Sequence, residues 1–354
     1  MIVPRTRSKW SLKTSPILSI VVPRAPDVWP WVGWRGFISL SVGCLYPGLP
    51  RVSRAWYPVA QDPMDWRDAV ETARMSINRD LFSILQSPDD HTPIGPDLRS
   101  EGGLAYEATP EGILMLASRR PTPAAAVYAS EMFSRWNGLL QDRIDYYTKK
   151  RSIAGRLANA SYRRIRQFNV RPQSAWLLDI GCGDGAQAED LSDRRNYVGL
   201  DRNLARLRIF KQRYPEATAI HGDASALPFR SGSVSYVYSS NTFEHLWYLK
   251  DAIMDLCRVT AEDAQIRIIV PTEGGLWNLG RQLLSRPRFM KKYPDIDFDF
   301  ISHVEHCNNA RQIRRTLETF FEVRTSYWPT RVPTVMVNVL VEYNCRHRRP
   351  SPMD

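Results

Sequence analysis

The stretch Leu177-Leu178-Asp179-Ile180-Gly181-Cys182-Gly183-Asp184-Gly185 constrains this chain more than any other. Residues 176–180 form a short apolar run with one acid in it, the length of a buried strand. Three glycines follow at alternate positions, and residues 186–191 read as a helix. Strand, glycine turn and helix in that order open a nucleotide-binding α/β unit. Glycine lets the backbone bend tightly and admits a ligand against the main chain, since no Cβ stands in the way. The N–H groups at the helix start are then available to an anionic or polar group. The plainer reading of the same residues is a tight strand-to-helix turn with no ligand.

Gly181-x-Gly183-x-x-Ala186 also satisfies the loose dinucleotide pattern, so two cofactors compete for the turn. Asp179 favours one of them. A carboxylate at the mouth of the loop repels a pyrophosphate, but it attracts the ammonium and sulfonium of S-adenosyl-L-methionine. The acid-x-Gly-x-Gly-x-Gly spelling resembles motif I of the class I S-adenosylmethionine-dependent methyltransferases. That resemblance implies an α/β, Rossmann-like, seven-stranded sheet with helices on both faces and a small N-terminal appendage. It also implies that Asp179, Gly181, Cys182, Gly183 and Gly185 surround the cofactor.

From residue 176 onward strand and helix patterns alternate, which implies parallel crossovers. Further strands are expected at residues 197–201, 218–221, 234–239 and 265–270, with a closing antiparallel pair at 320–327 and 334–343. Asp201 ends the second strand, where a carboxylate can accept from both ribose hydroxyls. Arg202 stands beside it. Gly222-Asp223-Ala224-x-x-Leu227-Pro228-Phe229 resembles the spelling of methyltransferase type 11 members of ubiquinone and menaquinone biosynthesis. It implies that Asp223 takes the adenine amino group and that Ala224 contacts the ring through its main chain. Ser240 and Asn241, after the fourth strand, complete the implied cofactor set near the methyl sulfonium.

Glu244 and His245 follow at once. Either suits a general base, a histidine most simply because its unperturbed pKa lies near neutrality. Packing at a helix start explains the same two residues without chemistry. Beyond residue 270 a long insertion runs to Cys307. It carries Arg281, Arg286, Arg288, Lys291 and Lys292, then Asp295, Asp297 and Asp299, then His303-Val304-Glu305-His306-Cys307. Long excursions from a scaffold commonly carry acceptor specificity, so His306 joins the catalytic candidates. His303, Glu305 and His306 are metal-binding residue types, but consecutive loop donors are more often structural, and no metal is expected. The basic run suits a sugar- or phosphate-bearing acceptor, or is a solvated helix face.

Residues 1–63 are rich in Pro, Trp and Arg and show no periodicity. They read as disordered, or as a leader translated ahead of a start at Met64. Residues 64–118 read as a helix to about residue 85, then a small module. Ser87-Pro88-Asp89-Asp90 and the ending from Tyr106 to Leu116 resemble the zinc-ribbon-like module found before bacterial methyltransferase domains, with the cysteines replaced. An unrelated β-hairpin reads the same way. After a Pro/Ala linker, residues 125–345 form the expected methyltransferase domain. Its leading helical part offers Tyr146 and Tyr147 as pocket-lining or core residues.

The net charge is +11, and residues 1–63 contribute more than half of it through eight bases and two acids. The remainder is nearly balanced, so nucleic acid is not an expected partner. The five cysteines form no C-x-x-C pair, so no zinc site or disulfide framework is indicated and a cytoplasmic setting is expected. No stretch reaches the ~20 apolar residues of an integral membrane segment. The resemblance therefore implies methyl transfer to an O, N or C nucleophile of a small molecule. An rRNA methyltransferase and a non-catalytic S-adenosylmethionine-binding or interaction protein are the alternatives. Cofactor motifs report binding rather than turnover.

Overall fold

The computed structural model describes residues 78–120, 175–191, 193–272, 275–280, 283, 286–297, 299 and 304–348. Tyr146, Tyr147, Arg281, His303 and the expectations for residues 1–77 and 121–174 lie outside them.

Nine strands form one sheet: β1 (Glu107–Ala108), β2 (Ile113–Met115), β3 (Leu177–Ile180), β4 (Tyr197–Asp201), β5 (Thr218–His221), β6 (Val234–Ser240), β7 (Thr260–Pro271), β8 (Phe321–Trp328) and β9 (Leu340–His347). Their order is β1-β2-β5-β4-β3-β6-β7-β9-β8. The run from β5 to β8 is the seven-stranded sheet expected, parallel up to β7 and closed by the antiparallel β9 and β8. The N-terminal segment extends it, because β2 pairs in parallel with β5. The chain travels from β3 outward to β5 and then returns to the other side of β3 with β6. That reversal opens a crevice at the carboxyl ends of the strands, where ligands bind in such sheets.

Among the described residues the α-helices are α1 (Leu204–Arg213), α2 (Leu249–Val259), α3 (Gly275–Gly280), α4 (Arg286–Lys292) and α5 (Ala310–Phe320). Side chains alternate along each strand, so the sheet feeds two cores. Leu178, Ile180, Val198, Leu200 and Ile268 pack with Ile253 and Leu256 of α2 and Ile313 and Leu317 of α5. Leu177, Tyr197, Ala219 and Tyr238 pack on the opposite face with Leu207 and Phe210 of α1. No helix among the described residues is long and apolar enough to cross a membrane.

Three local expectations are corrected. The helix expected at residues 186–191 is only a 3₁₀ turn, Ala188–Asp190. The Arg194 guanidinium takes the carbonyls of Ala188 (2.8 Å) and Glu189 (3.1 Å) that helix propagation would use. The end of the first expected helix is likewise a 3₁₀ turn, Arg79–Ser83, capped by Asn78. The last strand begins at Leu340 rather than 334. Buried Asn338 holds the preceding residues in a loop by donating to the Val332 and Thr334 carbonyls and accepting from the Thr330 N–H.

Candidate active site

The turns that follow β3, β4, β5 and β6 share one rim of the sheet. Gly181, Gly183 and Gly185 have φ of +75°, +55° and +78°. At Gly183 the φ strains any side chain, and a Cβ would stand 2.7 Å from the Arg206 guanidinium, which would have to swing away. Asp201 ties this turn to β4. Its Oδ2 accepts the Gly183 N–H at 2.8 Å and its Oδ1 accepts the Asn203 N–H at 2.7 Å. Each carboxylate oxygen keeps a further lone pair, so bracing the turn does not exhaust Asp201 as an acceptor.

Asp179 is fully buried. Its Oδ2 accepts from the Tyr197 hydroxyl, while Oδ1 has no hydrogen-bond partner among the described residues. Burial pushes its pKa up to about 7, against the opposing hydrogen bonding of the Tyr197 and then the buried Gln187 side chains. A buried carboxyl oxygen without a donor is costly, and a cationic or N–H group at the adjoining turn would relieve it. Asp184, by contrast, is already served by Arg213 at 2.7 Å and by Arg206 at 3.7 Å. The Cys182 thiol is buried and donates to the Gly183 carbonyl at 3.7 Å. Burial holds its pKa well above the ordinary range, so it is a neutral structural thiol.

At the end of β5, Asp223 turns its Oδ1 to the N–H and hydroxyl of Ser225 and its Oδ2 toward Arg202 at 3.8 Å. Ala224 beside it is buried. Ser240, the last residue of β6, is buried, and Asn241 after it takes a left-handed φ of +54° with its N–H on the Ile269 carbonyl at 2.9 Å. Asparagine is among the few side-chain-bearing residues that adopt this conformation readily.

The two catalytic histidine candidates meet. The His245 and His306 rings lie edge to face, 4.6 Å apart. Asn308 pins the end of the insertion to the 3₁₀ turn Phe243–His245. Its N–H bonds the Glu244 carbonyl (3.0 Å) and its side-chain amide bonds the carbonyls of Phe243 (3.1 Å) and Leu246 (2.6 Å). The Glu305 carbonyl can only accept, so His245 Nδ1–H donates to it and leaves Nε2 as the basic atom. That Nε2 lies 3.6 Å from Oε1 of buried Glu244. Burial, then His306, hold the His245 pKa down to about 3, with the Arg206 charge acting the same way. At neutral pH the ring is neutral.

Two neighbours escaped sequence reasoning. Arg206, on the first turn of α1, lies over Gly183, and its Nε is buried with no partner among the described residues. His221, the last residue of β5, donates from Nε2 to the Arg202 carbonyl at 3.0 Å. Neither belongs to a motif; tertiary packing alone brings them to the rim.

A family model described as "Methyltransferase domain" matches residues 178–268. The match spans the glycine turn, Asp201, Asp223 and His245, and stops before the insertion. A probable S-adenosylmethionine-dependent methyltransferase of Mycolicibacterium smegmatis is 33% identical over 84 residues, which is 23% of this chain and 33% of that protein. The demethylmenaquinone methyltransferase of Renibacterium salmoninarum is 35% identical over 85 residues, 24% of this chain and 36% of that protein. The chain thus spans about a third of the length of these curated relatives. The solved structure of Haemonchus contortus phosphoethanolamine N-methyltransferase 2 with S-adenosyl-L-methionine aligns at a TM-score of 0.43 and 13% identity. The alignment covers 66% of this chain and 61% of that one. Residues 178–268 match the methyltransferase domain model and lie on a Rossmann-like sheet.

Proposed function

We propose that this chain is an S-adenosylmethionine-dependent methyltransferase that methylates an O, N or C nucleophile of a small molecule. One observation carries the reading. The Asp201 carboxylate is bonded across to the Gly183 N–H, so the glycine turn and the ribose-accepting acid form a single cradle. When bound, the cofactor supplies a methyl group on a cationic sulfur. The residues of the chain bind and aim it. Asp201 accepts from the ribose hydroxyls, with Arg202 fixing Asp223 beside the adenine and Ala224 under the ring. Asp179 balances the amino group, Gly181, Cys182, Gly183 and Gly185 permit close approach, and Ser240 and Asn241 border the methyl end.

Alignment of donor and acceptor supplies most of the rate. A hydroxyl acceptor also needs its proton removed. His245 Nε2, neutral and oriented through Nδ1–H, is placed for that, with His306 and Glu244 beside it. The spelling Gly222-Asp223-Ala224-x-x-Leu227-Pro228-Phe229 supports a kinship with quinone-biosynthesis methyltransferases, and we place the protein in the cytoplasm. We read the N-terminal module as a zinc-ribbon-like fold that has lost its metal. Asp90 accepts from the Ser100 hydroxyl at 2.7 Å, and its N–H reaches Ser87 Oγ at 3.1 Å, so hydrogen bonds tie together the knuckle in which Ser87 and Asp89-Asp90 replace cysteines.

The test is transfer of a labelled methyl group from S-adenosyl-L-methionine to a cell extract, with RNA, protein, lipid and small-molecule fractions counted separately. Label in the small-molecule or lipid fraction supports the reading. Label in RNA overturns the acceptor class, and cofactor binding without label in any fraction overturns catalysis.

A further inference from the structure

Among the described residues, seven of the ten exposed large apolar side chains gather in two segments, the others being Trp247, Met254 and Met290. One is α3 and the residues after it: Leu276, Leu279 and Leu283. The other is the loop between β8 and β9: Val332, Val335, Met336 and Val337. Their exposures run from 37% to 65%. The two segments touch. The Leu276 N–H donates to the Met336 carbonyl at 3.0 Å, and Gly275, at φ +64°, lies so close to the Met336 main chain that a Cβ would strike it.

This loop is built, not slack. Asn338 is fully buried and bonds residues 330, 332 and 334, while the Thr272 hydroxyl holds the Asn338 carbonyl at 2.6 Å. The fold therefore fixes a loop whose apolar side chains point to solvent. Its place is also fixed. Leu340 pairs with Pro271 and with Trp328, so the loop leaves the sheet at the carboxyl end of β7, the edge that carries the candidate site.

Charge indicates what meets this surface. Residues 275–294 contain Arg281, Arg286, Arg288, Lys291 and Lys292 and no acid. Residues 329–341 contain Arg331 and no acid. Lys291, Lys292 and Arg331 are exposed. Of the aspartates that follow, Asp299 is ion-paired with Arg286 and the two charges offset one another, while Asp295 and Asp297 are exposed; the positive charge of the face rests on Lys291, Lys292 and Arg331. A second copy of the same face would bring like charges together, which opposes a symmetric dimer. Exposed Leu, Val and Met, with exposed Lys291, Lys292 and Arg331 in the same stretches of chain, match a negatively charged headgroup layer, into which apolar side chains insert while cations pair with phosphates.

We propose that α3 with the residues that follow it, together with the β8–β9 loop, forms a docking surface for an anionic lipid bilayer. Docking by itself does not depend on the methyl-transfer reading. On that reading, it turns the site edge toward the membrane, so an acceptor with an apolar tail reaches the site from the bilayer.

The experiment is co-sedimentation of the full chain with vesicles of equal phosphatidylglycerol and phosphatidylcholine, and with vesicles of phosphatidylcholine alone. The chain should pellet with the first and stay in solution with the second, and high salt should release it. Leu276→Asp with Met336→Asp should abolish pelleting. Both side chains are exposed, so the melting temperature should hold. Lys291→Ala with Lys292→Ala should weaken binding by roughly 30-fold. No pelleting by the native chain, or unchanged pelleting of the apolar double variant, overturns the proposal. So does a dimer in sedimentation velocity that the same double variant dissociates, since the face would then join two copies of the chain.

Discussion

Asp179 holds a proton that the unfolded chain releases. Its carboxyl titrates at about 7 when folded, against an ordinary value of 3.8. Between those values the folded state binds more protons, so its stability falls as pH rises from about 4 to 7, by up to about 1.4 kcal/mol per pH unit. Asp179→Asn should flatten that slope in denaturant titrations across this window; an unchanged slope would show that another group is responsible. At His245 the direction is opposite, because the folded ring resists protonation. It stays neutral from pH 5 to 8, so turnover should show no histidine limb near neutrality even where His245 serves as the base. His245→Ala should then lower turnover about equally at every pH in that range, by no more than roughly 10²-fold because a ring that protonates only near pH 3 is a weak base, with cofactor affinity nearly constant. Full turnover in that variant would leave alignment as the whole of the chemistry. Gly183→Val should abolish cofactor binding, because it forces Arg206 off the turn and strains a φ of +55°. Normal calorimetric binding by that variant would show that the cradle is not at Gly183.

The elements that the sequence revealed are those whose pattern repeats locally. Buried β3 and β4 are continuous apolar runs, and their acids at 179 and 201 fall where the cofactor argument needs them. The elements missed depend on one distant side chain each. Arg194 reaches back to end the turn after the glycines, and Asn338 converts six strand-like residues into a loop. The meeting of His245 and His306 was foreseeable only as shared positions on one rim; their contact depends on Asn308. Arg206 had no signal, being one arginine of several on an ordinary helix. Removing the Asn338 side chain tests this at the element scale. Asn338→Ala removes the hydrogen bonds to Thr330, Val332 and Thr334 from a fully buried position and should cost roughly 1–3 kcal/mol, read as a lower melting temperature with the sheet retained. An unchanged melting temperature would mean that the loop holds itself.

For the whole molecule, one sheet edge gathers a glycine cradle, a buried acid, a histidine pair and an apolar, basic rim. The family match ends at residue 268, so the insertion and the closing hairpin, to which we assign acceptor choice, lie outside it. The insertion ends in His306 and the closing hairpin carries the exposed loop. The central claim concerns the cradle, and calorimetric titration of the full chain with S-adenosyl-L-methionine tests it most directly. The native chain should bind one equivalent. Asp201→Ala, which removes the ribose acceptor and the brace on Gly183, should weaken binding by about 1–3 kcal/mol. No heat of binding from the folded native chain, or an Asp201→Ala variant that binds as tightly as native, would contradict the account.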